Sequence, residues 1–175
     1  MIKIFTDYCQ DNSLVFSLYD LNNDEVPELI LAKSSKTSYG NYILIYDIFS
    51  YKNNSLVKLF NDLGHGTYGS DIVTLYEDNI IGLEYSNSNK DASVDYYKLN
   101  SECELDSIEH IHADNNYNDN SKSCFYYTYD INNKQEISYN EYVKIANKYK
   151  TIMSKINYIS IDTTVSLNSI WKKYN

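Results

Sequence analysis

The sequence predicts an α+β fold: one domain, mainly an antiparallel β meander, with two C-terminal helices packed on the sheet. Three observations predict it. Short apolar runs rich in Tyr, Ile and Val alternate with turns built on Asn, the pattern of hairpins in series. The 175 residues hold one Pro, five Gly and no Ser/Gly-rich stretch, so nothing reads as a linker and residues 1–175 form one unit of ordinary domain size. After Ser138, apolar residues fall at helical rather than strand spacing.

In chain order, residues 3–10 are read as a short helix. Val15–Asp20 and Glu28–Ala32 are strands flanking a polar loop, a hairpin over 15–32. A meander over 41–131 follows. Tyr42–Tyr51 and Leu56–Phe60 flank Lys52-Asn53-Asn54, and Asp71–Tyr76 and Ile80–Tyr85 flank Glu77-Asp78-Asn79. Ser93–Leu99 and Cys103–His112 flank Asn100-Ser101-Glu102, and Phe125–Asp130 ends at Ile131-Asn132-Asn133-Lys134. Tight turns in series give antiparallel neighbours. Such strands carry Tyr well, because the ring packs while the hydroxyl reaches water. The first C-terminal helix, about 138–153, starts at Ser138-Tyr139-Asn140-Glu141, which has capping-box spacing. Tyr142, Ala146, Tyr149 and Met153 make its stripe. A second helix, about 164–174, presents Leu167, Ile170, Trp171 and Tyr174, and Asn157–Ile161 between them is read as an edge strand.

Composition excludes several function classes. Net charge is −9, and all 15 basic residues are Lys. An acidic chain without Arg is poorly suited to nucleic acid, where Arg supplies bidentate phosphate and guanine contacts. Lys172-Lys173 reads as a solvated helix tip. An acidic surface suits cations or a basic protein partner. No apolar run approaches the ~20 residues of a membrane span. Met1-Ile2-Lys3-Ile4-Phe5 lacks the apolar core and cleavage site of a leader. The expected location is extracellular or cell-surface if a leader has been removed, and cytoplasmic otherwise. The bias to 20 Tyr and 22 Asn matches an AT-rich coding genome. Cys9, Cys103 and Cys124 are odd in number with no C-x-x-C spacing, which disfavours structural zinc; a Cys103–Cys124 disulfide is conceivable beside the default of three thiols.

One segment carries chemistry. In Asp20-Leu21-Asn22-Asn23-Asp24-Glu25-Val26-Pro27-Glu28, oxygen side chains stand at loop positions 1, 3, 5 and 9, namely Asp20, Asn22, Asp24 and Glu28. Position 7, Val26, offers its carbonyl. Calcium takes six to eight hard oxygens, and alternate positions of a curled loop aim them inward. Strand-like flanks and Leu31 at position 12 exclude an EF-hand. The expected cofactor is calcium on Asp20, Asn22, Asp24, Val26 and Glu28. A plain turn explains the same letters through Asx-type bonds and a stiffening Pro27.

Phe16–Leu31 resembles the strand, D-x-[DN]-x-D-G-x-P-E-L, strand segment of uncharacterised exported or lipoprotein-like clostridial domains. It is also similar to the calcium loops of FG-GAP/VCBS-type repeats, as in integrin propellers. Tyr42–Tyr46 and Gln135–Tyr142 resemble later parts of those domains more loosely. The resemblance implies the hairpin fold and calcium, and no activity. The family's Gly at position 6 is Glu25 here, where positive φ costs a side chain on the order of 1 kcal/mol.

Other segments weigh less. Asp130–Glu141 has EF-like spacing, but Lys134 occupies a ligand position and a hairpin leading to a capped helix explains it better. His110 and His112 share one strand face and could hold a transition metal with Asp114; exposed strand histidines are the default. Gly64–Ser70 could be a binding loop with His65 as base, but lacks the strand-to-helix context and Lys of a phosphate loop. Asp114–Ser121 reads as a polar loop. The functional expectation is a non-catalytic, calcium-stabilised module of a bacterial surface or secreted protein, its exposed Tyr serving protein or glycan contact. The alternative is an acidic intracellular interaction protein, an immunity- or antitoxin-like partner of a basic effector. A hydrolase built on His65 or His110/His112 is the third class.

Overall fold

The computed structural model describes residues 14–37, 40–53, 55–60, 63, 70–87, 91–114, 124–128 and 134–160. Among the described residues, eleven strands form one antiparallel sheet: β1 (Leu14–Tyr19), β2 (Glu28–Thr37), β3 (Gly40–Lys52), β4 (Ser55–Lys58), β5 (Ser70–Tyr76), β6 (Ile80–Asn87), β7 (Asp91–Leu99), β8 (Leu105–Asp114), β9 (Cys124–Thr128), β10 (Gln135–Ile137) and β11 (Ile159–Ser160). The spatial order is β10-β9-β8-β7-β6-β5-β3-β2-β1-β11, with β4 on β3. Each hairpin neighbour in sequence is a neighbour in space except where β4 intervenes. β3 meets β5 through a single pair, Ile45 with Val73, so two meanders join at one bridge.

Side chains alternate across each strand, and the sheet buries both faces in places. The main core gathers Val15, Ile30, Ala32, Ile45 and Ile48 from the first meander and Val73, Leu75, Ile81 and Leu99 from the second. Ile30, Ile45, Ile48, Leu75 and Ile81 are wholly buried, each stabilising the fold by roughly 1.5–3 kcal/mol. Phe16, Leu29, Leu31 and Phe49 form a cluster on the opposite face. The continuous run Leu29–Ala32 is thus a strand buried on both sides rather than a polar-alternating one.

The β3–β4 and β5–β6 turns use residues that tolerate positive φ, whereas the β7–β8 turn places Cys103 there at 57°. Asn53, Asp78 and Asn79 lie at 52°, 60° and 64°, values Asn and Asp adopt more readily than most residues. Gly82 is packed rather than bent: a Cβ there would lie 2.7 Å from the ring of Tyr76.

The C-terminal region corrects the expected α+β class. The described residues contain one helix of seven or more residues, α1 (Tyr139–Ala146), not a helix to residue 153. Its start is the expected capping box: the Glu141 amide donates to Ser138 Oγ at 3.3 Å and the Ser138 amide donates to the Glu141 carboxylate at 2.9 Å. Its end is set by the sheet. Glu77 N–H donates to the Lys150 carbonyl (2.8 Å), and Ile152 N–H donates to the Leu75 carbonyl (2.9 Å); Thr151 pairs with Tyr76. β5 has backbone groups to satisfy beyond its single bridge to β3, and the chain after Lys148 satisfies them instead of continuing the helix. Tyr149 therefore packs on Tyr96 and Tyr76, and Met153 packs against the main core, from extended and turn backbone. The second expected helix, 164–174, and the helix at 3–10 lie outside the described residues, as does the Gly64–Gly69 stretch. A short edge strand does stand within Asn157–Ile161: β11 pairs with β1. Cys103 is a buried free thiol.

Candidate functional site

The β1–β2 connection hangs from two buried anchors. Leu21 is 1% exposed and belongs to the main core. Its amide donates to Glu28 Oε2 at 2.7 Å. Between these anchors the chain curls on its own side chains. Asp20 accepts from the amides of Asp24 (3.2 Å) and Glu25 (3.0 Å). Asn22 Oδ1 accepts from the Asp24 amide at 3.2 Å, and Asp24 Oδ1 accepts from the Val26 amide at 2.8 Å. Asn22 Nδ2 donates to Asp24 Oδ2 at 2.9 Å and, across the sheet end, to the Asn100 carbonyl at 3.2 Å. These are Asx-type bonds, the local alternative that short polar side chains offer a backbone leaving its ladder. Asn23 and Glu25 stand at φ 60° and 70°; Glu25 thus adopts the left-handed conformation for which the resembled loops use Gly.

Glu28 behaves differently from the other acids. It is 1% exposed, and its second oxygen accepts from Ser50 Oγ at 3.0 Å. The β2–β3 register explains the partner: Leu29 faces Phe49, so the next position brings Glu28 against Ser50. Burial pushes the carboxyl up to about 7, against the lowering effect of the Leu21 amide and Ser50 hydroxyl, and the charge of Asp24 pushes it further. At neutral pH the group sits near the midpoint between neutral and ionised.

The expected ligand set is brought together in part. Asp20, Asn22 and Asp24 share one tight loop with hard oxygens, the donor chemistry calcium takes. Glu28 lies at its base but is turned to Ser50 and the Leu21 amide. Val26 uses its amide toward Asp24, and its side chain is 37% exposed. Among the described residues, no group of three or more His, Cys, Asp or Glu side chains is placed to hold a metal ion. A cation at this loop would need the Asn22–Asp24 bond to open. The loop shares its end of the sheet with the β7–β8 turn, where Lys52 Nζ donates to the Glu102 carbonyl at 2.5 Å and lies 3.3 Å from its carboxylate.

The histidine pair stands on one face of β8, as alternation requires. His110 Nδ1 is 2.6 Å from Asp95 Oδ1, the residue opposite it on β7. His112 Nε2 is 4.0 Å from Asp91 Oδ1. Burial holds the His112 imidazole below its ordinary value, against Asp91. Each ring has its own carboxylate, and Asp114 is not the organising partner. Of Asp130–Glu141, residues 134–141 are described, and Glu141 is spent on the helix cap. His65 and residues 115–121 lie outside the described residues.

One polar cluster carried no sequence signal. Glu109, 3% exposed, accepts from Lys148 Nζ at 2.7 Å and from the Tyr149 hydroxyl. Its carboxylate holds the Lys148 ammonium above the usual lysine range. The partners are 39 and 40 residues away, so only the docking of the post-helix segment on β8 creates the cluster. Ser50 was equally illegible, lying 22 residues from Glu28. Among the described residues, no helix is long and apolar enough to cross a membrane. Compared with known proteins, the chain has no significant match to a family model, a curated protein or a solved structure.

Proposed function

We propose that the chain is a non-catalytic binding or structural module of a bacterial surface or secreted protein, whose first hairpin is stiffened by calcium. One observation carries the reading: the loop of Asp20, Asn22 and Asp24 is curled with its side-chain oxygens turned onto its own amides, and Glu25 holds φ 70°. Asp20, Asn22, Asp24 and Glu28, with the Val26 carbonyl, would hold the ion. The ion would neutralise carboxylates that repel one another and replace loop flexibility with rigidity. Half-exposed Tyr42, Tyr85 and Tyr139 provide amphipathic faces for a protein or glycan.

A thermal melt of metal-stripped protein, with and without millimolar calcium, tests this. A ligand at ~100 times its Kd adds about 2.7 kcal/mol, a rise of about 5–10 °C at this size. Asp24→Ala is expected to lose the rise while the rest of the fold melts cooperatively. No rise in either protein refutes the calcium reading.

The second reading, an acidic interaction protein, is favoured by the same loop seen differently: its carboxylates are satisfied by its own backbone, so it is complete as a turn. Asp20, Asp24 and Glu25 then join Glu102, Glu104 and Asp106 as an acidic end that meets a basic partner. A calcium-independent melt, with binding to a basic protein that weakens steeply with salt, selects it.

A further inference from the structure

Residues 148–160 run along the seam where β3 and β5 meet through the single pair Ile45–Val73, and they fasten to both meanders. On the second meander, Lys148 Nζ donates to buried Glu109 at 2.7 Å. The Glu77 amide donates to the Lys150 carbonyl, and the Ile152 amide donates to the Leu75 carbonyl. Lys155 Nζ lies 2.6 Å from Glu77 Oε1. Ile152 and Ile156 are buried in the main core that both meanders share. On the first meander, β11 pairs with β1 at Phe16–Ile159 and Val15–Ser160.

These fastenings are slighter than the ladders they join. The backbone bonds to β5 are confined to Lys150–Ile152 and β11 is two residues long, whereas β2–β3 and β6–β7 pair along nearly their whole length. The Lys155–Glu77 pair is exposed on both partners, so water and salt leave it little stabilising effect. The rest of the main core comes from the two meanders and their loops. A segment with few backbone bonds and few buried anchors, laid on a larger core, is the kind of unit that opens before the whole chain unfolds.

We propose that residues 148–160 form a clasp that opens as one unit while both meanders stay folded. Opening frees the Leu75 carbonyl and the Glu77 amide on the edge of β5, backbone groups of the kind an added strand pairs with. It also empties the sockets of Ile152 and Ile156. Ile152 and Lys155 wall a cavity of about 280 Å³ together with Tyr19 and Leu21, so opening removes one wall beside the anchor of the acidic loop.

Native-state hydrogen exchange of the full chain, read by NMR with calcium chelated so that the loop's ion is not involved, tests the clasp. The amides of Glu77 and Ile152, which donate across the seam, are expected to share one protection factor, at least tenfold below that of the slowest amides of β6 and β7. Ile152→Val trims a buried contact made only by the closed clasp, and is expected to speed both amides together by about three- to tenfold. Leu31→Val trims the cluster on the opposite face, which the open state keeps. It is expected to speed the slowest amides several-fold and leave Glu77 and Ile152 at their original rates. If Leu31→Val speeds every amide alike, the segment opens only with the whole chain and the proposal falls. Unequal protection of Glu77 and Ile152, or an Ile152→Val effect confined to one of them, would show fraying in place of a clasp and overturn it equally.

Discussion

Replacing Glu28 by Gln isolates the buried carboxyl beneath the loop. Its pKa is about 7 in the folded chain against an ordinary 4.5, so the folded state binds the proton more tightly than the unfolded state. Stability from this group is therefore full below pH 4.5, declines as pH rises, and levels off above pH 7. Between pH 5 and pH 8 linkage gives a loss of about 2–3 kcal/mol, with burial as its leading cause. The substituted amide never ionises, so the variant lacks this pH dependence. It keeps an oxygen for the Leu21 amide, and Ser50 can turn its hydroxyl to accept from the new amide nitrogen. With calcium chelated, the melting temperature of Glu28→Gln relative to the unaltered chain is expected to climb by about 5–10 °C between pH 5 and pH 8. Scanning calorimetry at several pH values, on both proteins, reads this difference directly and cancels every other titrating group. A difference that stays flat with pH would show that Glu28 is not buried as described, and would remove the electrostatic account of the loop's base.

Two further substitutions probe the packing. Gly82→Ala places a methyl 2.7 Å from the Tyr76 ring, which is held between Tyr96 and Tyr149 at 5.8 and 5.9 Å; overpacking of this kind is expected to cost about 1–3 kcal/mol in urea unfolding. Ser138→Ala removes the cap oxygen that Glu141 N–H uses and is expected to cost about 1 kcal/mol, read as faster amide exchange in the first turn of α1.

The strands and turns were legible because their causes are local. Asn-centred turns with positive φ at Asn53, Asp78 and Asn79 close hairpins whatever lies beyond them, and a hairpin's register follows from its turn. The loop's internal bonds were legible for the same reason, since Asp20, Asn22 and Asp24 reach no farther than five residues for their loop partners. The capping box at Ser138 likewise needs only Glu141. What failed was the helix end. Tyr142, Ala146, Tyr149 and Met153 keep helical spacing, but the carbonyl of Leu75 and the amide of Glu77 draw Lys150–Ile152 into pairing. That competition involves residues more than seventy positions apart and leaves no periodic trace. The protonation of Glu28 and the Glu109–Lys148–Tyr149 cluster belong to the same class. The hairpins and their turn chemistry can be read from residue order, because short-range backbone preferences decide them. Where α1 stops and which carboxylates are buried follow from the assembled fold, because desolvation and long-range pairing depend on what lies alongside.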